Sequence, residues 1–154
     1  MATPEVIPPP SGAFDGPEHV LPVRVYYEDT DFTGLVYHAS YLRFFERGRT
    51  EFLRAAGVEH AKLLESLDPA AFAVTRMSID FRRAARVDDA LVIRTAFQAL
   101  RGARIEARQR VLRGADTLAE AEVEVVCIRP DGRPRRPPAD LLARLAPFVG
   151  KTAP

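Results

Sequence analysis

Two side chains that could perform acid–base chemistry, the carboxyl of Asp31 and the imidazole of His38, lie close together in one turn-rich segment. Gly34 lies between them, and an apolar pattern of helical period begins shortly after His38. The first turn of a helix leaves backbone N–H groups unpaired and carries a partial positive charge, so it stabilises negative charge that develops nearby. A carboxylate and a histidine beside such a helix end indicate hydrolysis or acyl transfer.

The residues after this segment predict one long amphipathic helix. Ser40 suits the N-cap position and Gly57 suits the C′ position. Gly48 lies inside the helix at a cost of about 1 kcal/mol relative to Ala, and it either lets another backbone approach closely or is a tolerated weakness. The apolar residues recur at helical spacing and form one broad face: Tyr41, Phe44, Phe45, Phe52, Leu53 and Ala56.

The hydrophobic period changes from helix-like to strand-like after a second, shorter helix that we predict at residues 59–67. One short strand, Val23–Tyr27, precedes the long helix, and a last helix is predicted at Ala139–Leu145. Strict alternation indicates half-buried strands in an antiparallel sheet with one wet face. Four such strands are predicted: Phe72–Phe81, Leu91–Ala99, Arg104–Arg113 and Thr117–Ile128. We therefore predict an α+β fold in which the sheet curls around the long helix.

The turn at residues 114–116 predicts a register for the last two strands. Folding the chain there brings Arg108 and Arg110 close to Glu120 and Glu122, and opposite charges across a hairpin favour that pairing. A solvated face explains these charges without a binding site. The sheet keeps free edges, which favours dimerisation.

Composition excludes several classes of protein. The net charge is +1, with no basic run interleaved with aromatic residues, which argues against nucleic-acid binding. One cysteine, Cys127, excludes an intrachain disulfide framework and suits a reducing compartment. No apolar run is long enough to cross a bilayer and no secretory signal is recognisable, so we expect a cytoplasmic protein.

The first 22 residues hold six of the 13 prolines and neither Lys nor Arg. We predict that residues 1–22 form a disordered tail, in which His19 has no functional role. Residues 23–148 then form a single domain.

The sequence V-x-V-Y-Y-E-D-T-D-x-x-G-x-V-Y-H-x-x-Y-L-x-F-x-E-R, from Val23 to Arg47, resembles the signature of the YbgC-like acyl-CoA thioesterases. These proteins form the 4-hydroxybenzoyl-CoA thioesterase branch of the hotdog superfamily. The match continues through Arg49–Arg54 and Ile79–Arg83, with Ala85, Arg86 and Asp89 after the second stretch. The resemblance implies a hotdog fold, a central long helix wrapped by a five- to six-stranded antiparallel sheet. The Pro-rich N-terminal extension departs from the family pattern.

The resemblance also implies roles for individual residues. Asp31 would be the catalytic carboxylate, either as a general base or as a nucleophile. His38 would offer a backbone N–H to the thioester carbonyl and an imidazole that positions substrate or water. Tyr27 would hydrogen-bond near Asp31 and the substrate. We expect Asp31 to be buried in a cleft between protomers, with Gly34, Val36 and Tyr37 lining the substrate site.

Each of these residues has a structural alternative. Asp31 could stabilise the bend before Gly34 as an Asx-turn residue, a role that we also predict for Asp29. His38 could be satisfied by a backbone carbonyl, and Tyr27 could be a core aromatic of the first strand. Glu46 is a competing carboxylate, because another hotdog branch takes its catalytic acid from the central helix. The D-T-D motif makes Glu46 the second choice, and its structural alternative is an ion pair with an Arg.

The implied substrate is acyl-CoA, and we expect neither a metal nor an organic cofactor. Arginine suits the phosphates of coenzyme A, and the family analogy points to Arg82, Arg83 and Arg86. Two rival functions stay open: an acyl-thioester binding or scaffold protein without turnover, and a hotdog hydratase or dehydratase.

The resemblance also implies partners. Related proteins form homodimers or homotetramers and are encoded beside the Tol-Pal envelope machinery. They associate with acyl carrier protein or phospholipid-synthesis enzymes, which implies a peripheral position at the inner membrane.

Overall fold

One sheet of six antiparallel strands wraps a single long helix, as predicted, in this computed structural model, which describes residue 1 and residues 3–150. The strands are β1 (Ala13–Asp15), β2 (Glu18–Arg24), β3 (Ala71–Phe81), β4 (Ala90–Arg101), β5 (Arg104–Arg113) and β6 (Asp116–Ile128), in the order β1-β2-β4-β5-β6-β3. The helices are α1 (His38–Ala55), α2 (His60–Glu65) and α3 (Ala139–Leu145). Among the described residues, no helix combines the length and the apolar character needed to span a membrane.

The core lies between α1 and the sheet. Phe44, Phe45 and Phe52 of α1 are fully buried, and the Phe52 ring lies 4.2 Å from that of Phe97 on β4. Burying an apolar side chain of this size contributes about 1.5–3 kcal/mol. The alternate residues of the central strands complete the core: Leu91, Ile93, Ile105, Ala107, Val111, Ala119, Ala121 and Val123. The apolar residues of α1 and those of the strands therefore pack together in one core, which holds α1 against the sheet.

Gly48 lies where α1 packs tightly against side chains of β4 and β5. A Cβ at this position would lie 2.8 Å from Thr95 Oγ1 and 2.9 Å from Gln109 Nε2. The buried Gln109 amide donates to the Phe45 carbonyl (2.8 Å) and to Thr95 Oγ1 (2.9 Å), and it accepts a hydrogen bond from Arg49 Nη1. Close approach, rather than tolerated weakness, is therefore the reason for this glycine.

Gly48→Ala should lower the free energy of unfolding by about 1–3 kcal/mol, although alanine is the better helix former. The added methyl group must displace Gln109 or move the helix from the sheet. Urea unfolding measures the change. As a control, the exposed Arg43 inside α1 is changed to Ala and to Gly, and the difference reports helix propensity alone at about 1 kcal/mol. A stabilised Gly48→Ala variant would contradict the close approach.

The N-terminal segment corrects our prediction of a disordered tail over residues 1–22. Residues 13–24 form two strands, with Ala13 paired to Val20, and β2 continues into the sheet by pairing with β4. The prolines do not prevent this arrangement, because β1 pairs only with residues 18–20. Pro22 lies beyond the end of β1, where its missing N–H faces no partner strand. The ordered domain therefore begins before Val23.

Several element boundaries also differ from those predicted. The strand predicted at Val23–Tyr27 ends at Arg24, and Tyr27–Asp29 form a 3₁₀ turn. Helix α1 begins at His38, so Ser40 lies inside the helix and is buried instead of serving as its N-cap. Gly57 has the predicted C′ role, with φ of 87°.

The predicted register of β5 and β6 is confirmed, but only one of the two ion pairs forms within it. Arg108 lies opposite Glu122 and their side chains pair at 3.4 Å. Arg110 lies opposite Glu120, yet its side chain pairs with Glu18 of β2 at 3.3 Å. The ordered N-terminal hairpin therefore redirects this arginine.

His19 of β2 is buried among aromatic rings. Its ring lies 5.4 Å from that of Phe14 and 6.3 Å from that of Phe52, and neither ring nitrogen has a hydrogen-bond partner of good geometry among the described residues. Burial lowers the pKa of His19, and the Ser11 backbone and the Glu51 carboxylate oppose that shift only in part. The imidazole is therefore neutral in the folded protein at neutral pH.

The free energy of unfolding should decrease as the pH falls through about 6.5, the ordinary histidine value. Below that pH the unfolded chain binds a proton that folded His19 resists, so protonation favours unfolding until the lower folded pKa is reached. Urea unfolding at pH 7.5, 6.5 and 5.5 measures this loss, and His19→Phe should reduce it. An unchanged pH dependence in His19→Phe would contradict the assignment.

Candidate active site

Asp31 opens a tight turn that its own carboxylate stabilises. Asp31 Oδ1 accepts hydrogen bonds from the Thr33 backbone N–H (2.8 Å) and the Thr33 hydroxyl (2.5 Å). The Gly34 N–H donates to the Asp31 carbonyl at 3.0 Å, and Gly34 has φ of 80°. Apart from its chain neighbours, no described residue has an atom within 4 Å of a Cβ built on Gly34, so this position needs glycine for its positive φ and not for lack of space. The predicted positive-φ turn and the Asx-type role of Asp31 are both present.

Residues 29–37, the site loop, are held by backbone pairing on both sides. Thr30 pairs with Val36 across the loop, and the Val36 N–H donates to the Ala85 carbonyl at 2.8 Å. Leu35 pairs with Arg86 as an isolated bridge. The loop therefore lies on the segment between β3 and β4, which fixes where the Asp31 carboxylate points.

Asp29 closes the base of the site loop. Its carboxylate is buried and accepts a hydrogen bond from the Tyr26 N–H at 2.8 Å, while its carbonyl accepts from the Tyr37 N–H at 2.9 Å. The prediction of a turn-stabilising acid is confirmed.

The segment under the site loop is fixed by residues to which our sequence reasoning gave no such role. Asp89 Oδ2 accepts hydrogen bonds from the Arg86 N–H (2.9 Å) and from Arg113 Nη1 (2.8 Å). Tyr41 Oη of α1 accepts from the Ala85 N–H at 3.2 Å. Hydrogen bonds and the Arg113 charge lower the pKa of Asp89. No local sequence pattern links Arg113 to this segment, because the contact depends on sheet register.

His38 is the first residue of α1 and stands next to the site loop. Its ring lies 4.5 Å from that of Tyr37 and 6.5 Å from that of Phe81 on β3. No side chain caps this helix, and the N–H groups of His38 and Ala39 have no acceptor among the described residues. Two unpaired donors therefore lie at the positive end of a helix of 18 residues, as an oxyanion site requires.

Asp31 is ionised at neutral pH. The Thr33 hydroxyl and backbone N–H lower the pKa of its carboxyl most, and the His38 charge adds to this effect. An ionised carboxylate can accept a proton or attack a carbonyl carbon, but it has no proton to donate as an acid.

A single protomer leaves these groups open to solvent. Asp31 is exposed in the protomer, and its burial in a cleft between protomers stays a prediction. Tyr27 is not a core aromatic, since 86% of its surface is exposed, and its hydroxyl makes no hydrogen bond within the described residues. Exposed aromatic rings surround the site loop: Tyr26, Tyr27, Phe32, Tyr37 and Phe81. Val36, by contrast, is buried below the loop.

Of the three predicted phosphate-binding arginines, the structure brings only Arg86 beside the site loop. Arg82 pairs with Glu120 at 2.7 Å and Arg83 pairs with Asp116 at 3.2 Å, both at the surface. The Arg86 side chain forms no ion pair within the described part of the chain, and its backbone bridges to Leu35.

The sequence model of the Thioesterase-like superfamily matches residues 25–145. The chain belongs to this superfamily. It is 48% identical over 108 residues to the acyl-CoA thioesterase YbgC of Haemophilus influenzae, covering 70% of this chain and 79% of that protein. It is 44% identical over 124 residues to the acyl-CoA thioester hydrolase YbgC of Escherichia coli O157:H7, covering 79% and 91%. A crystal structure of a probable thioesterase from Bartonella henselae superposes with a TM-score of 0.77 at 45% identity, covering 79% and 99%.

Glu46 lies away from the site loop in this thioesterase-superfamily protein. Along the axis of α1 it is about 12 Å from His38, the residue next to the loop. It forms the predicted ion pair, with Arg49 at 2.6 Å, and accepts a hydrogen bond from Thr50 at 3.0 Å. It stands at the mouth of an apolar cleft lined by Leu53, His60, Phe72, Val74, Phe97, Ile105 and Val125. Among the residues that the structure describes, no group of three or more His, Cys, Asp or Glu side chains is placed to hold a metal ion.

Thr33→Val should raise the pKa of the Asp31 carboxyl toward its ordinary value, because the valine cannot donate to Oδ1. The ¹³C resonance of the Asp31 carboxyl, followed against pH, measures the shift without any assay of activity. Thr30→Val is the matched control, since the Thr30 hydroxyl donates to the Tyr27 carbonyl and not to Asp31. Equal Asp31 titration curves in Thr33→Val and wild type would contradict the assigned hydrogen bond.

Proposed function

We propose that this protein hydrolyses acyl-CoA thioesters to a free acid and CoA, with neither a metal nor an organic cofactor. The observation that carries the proposal is the ionised Asp31 carboxylate, held by Thr33 beside the uncapped first turn of α1. The relatives named acyl-CoA thioesterases, which align with most of the chain, support the same activity.

The helix end binds the carbonyl oxygen of the thioester, and the carboxylate promotes attack on the carbonyl carbon. The His38 N–H, with that of Ala39, donates to the thioester oxygen and stabilises the negative charge that develops there. Asp31 then acts in one of two ways. As a base it takes a proton from water, whose hydroxide adds to the carbonyl carbon; as a nucleophile it attacks that carbon and forms an anhydride that water cleaves. In both routes the C–S bond breaks and the thiolate of CoA leaves. The His38 imidazole positions the substrate or the water.

A second copy of the chain completes this site in our proposal. The exposed Asp31 and the aromatic rings around it form a surface that a hydrophobic partner would cover. Strand β3 is an edge of the sheet and its outer side has no paired strand among the described residues, so it is open to pairing. A homodimer or a homotetramer would exclude bulk water from the site, leave room for the reacting water, and strengthen the electrostatic interactions at Asp31.

The acyl carrier and the cellular setting extend the proposal. Acyl carrier protein is an alternative carrier of the acyl group, and phospholipid-synthesis enzymes beside the Tol-Pal machinery are proposed partners. A cytoplasmic location with peripheral contact at the inner membrane suits those partners.

The single cysteine, Cys127, is buried, and burial raises the pKa of its thiol, which suits a structural role.

Asp31→Asn should lower kcat by about 100-fold or more, because the amide can neither accept the proton nor attack the carbonyl. Release of CoA thiol from a series of acyl-CoA substrates measures the rate, and the far-ultraviolet circular dichroism should not change. Asp88→Asn is the matched control: it removes an acid outside the site loop, at a positive φ of 70° that asparagine tolerates. Undiminished turnover in Asp31→Asn would remove Asp31 from the mechanism.

The same thiol-release assay, applied to the unaltered protein, separates the rival functions. A protein that only binds acyl-thioesters would release no thiol, and a hydratase would convert enoyl-CoA instead. Parallel assays with acyl-CoA, enoyl-CoA and acyl carrier protein thioesters therefore decide both the reaction and the carrier.

A further inference from the structure

A concavity of about 340 Å³ opens between the N-terminal segment, β2 and the outer side of α1. Its walls carry two cations and one aromatic ring, together with several apolar side chains: Arg24, Arg47, Tyr26, Pro9, Pro10 and Val23. No role has been assigned above to this surface.

The charges of the concavity favour an anion. The Arg47 side chain forms no ion pair within the described residues, and Arg24 Nη1 is fixed by donating to the Asp88 carbonyl at 2.8 Å. The one lining acid, Glu51, lies 3.4 Å from Arg54, and its buried Oε2 has no hydrogen-bond partner among the described residues. Two guanidinium groups therefore face a shared space with one carboxylate, which leaves a net positive charge, and guanidinium is the side-chain group best suited to phosphate.

The remaining walls suit a planar ring. The Tyr26 side chain is 58% exposed, and Pro9 and Pro10 offer apolar surface opposite the sheet. Nucleobases stack on aromatic side chains regardless of base identity. Phosphate-binding cations beside an exposed aromatic ring therefore match a phosphorylated nucleotide better than they match an acyl chain.

The concavity is also next to the reacting groups. The Tyr26 N–H binds the Asp29 carboxylate, which closes the base of the site loop. Asp31 is the fifth residue after Tyr26, so their backbones lie at most about 17 Å apart. The arginines first considered for phosphate, Arg82 and Arg83, are occupied by Glu120 and Asp116.

We propose that this concavity binds the phosphorylated adenosine end of the acyl-CoA substrate, with Arg47 as its main phosphate ligand. The inference rests on the proposed thioesterase function and adds a place for the nucleotide. Pro9 and Pro10 precede the residues matched by the superfamily model, so this wall of the subsite comes from the N-terminal extension of this chain.

Arg47→Gln should raise KM for acyl-CoA by about tenfold, the loss expected for one charge-assisted contact, and leave kcat nearly unchanged. The KM for the same acyl group on pantetheine, which carries no phosphate, should not change. Adenosine 3′,5′-bisphosphate should inhibit wild type competitively and inhibit Arg47→Gln more weakly. Arg101→Gln is the control, since it removes an exposed arginine at the β4–β5 turn, away from the concavity.

Each outcome separates this inference from the proposed function. Equal KM values for acyl-CoA in wild type and Arg47→Gln, with hydrolysis intact, would overturn the subsite and leave the thioesterase assignment standing. An equal rise in KM for acyl-CoA and acyl-pantetheine would place Arg47 near the acyl group and would also overturn it. No hydrolysis of either substrate by wild type would contradict the proposed function, while binding of adenosine 3′,5′-bisphosphate that weakens in Arg47→Gln would still support the subsite.

Discussion

The backbone pairing between the site loop and the segment that joins β3 to β4 is the interaction on which the site depends. The Val36 N–H binds the Ala85 carbonyl, and Leu35 bridges to Arg86, so the loop cannot turn away from the first residue of α1. Arg113 holds that segment from β5 through Asp89. The position of one carboxylate is therefore set by two strands and a helix, and the hydroxyl and N–H of Thr33 orient it.

The second constraint is that this well-held carboxylate is not covered by its own protomer. The loop directs Asp31 outward, and the rings of Tyr27 and Phe32 beside it are almost fully exposed. In water, an exposed charge interacts only weakly with neighbouring groups. In a closed site, the same charge interacts with a carbonyl group with much less screening. We propose that association of two or more copies supplies the closure, which would make turnover a property of the oligomer rather than of the protomer.

Sequence patterns predicted the elements whose periodicity is strong and missed those whose order depends on distant contacts. The bounds of β5 and α3 were predicted correctly, because strict alternation and a Pro-started helical pattern are local signals. β1 and most of β2 were missed, since a Pro-rich composition hides a hairpin whose stability comes from Phe14 in the core and from pairing with β4. At the site, residue types were sufficient to predict the turn at Gly34 and the structural role of Asp29. Arg113 and the partners of Arg82 and Arg83 were not, because they follow from the register of the sheet.

Active-enzyme sedimentation velocity, in which the moving boundary is followed by release of CoA thiol, shows whether a single protomer or an oligomer hydrolyses the thioester. It measures the mass of the species that turns over rather than the mass of the bulk protein. The account predicts that hydrolysis sediments with a dimer or a tetramer and that no activity migrates with a 17.1 kDa protomer. Full specific activity in the monomer boundary would show that the exposed Asp31 of a single chain is sufficient, and would contradict the proposed closure.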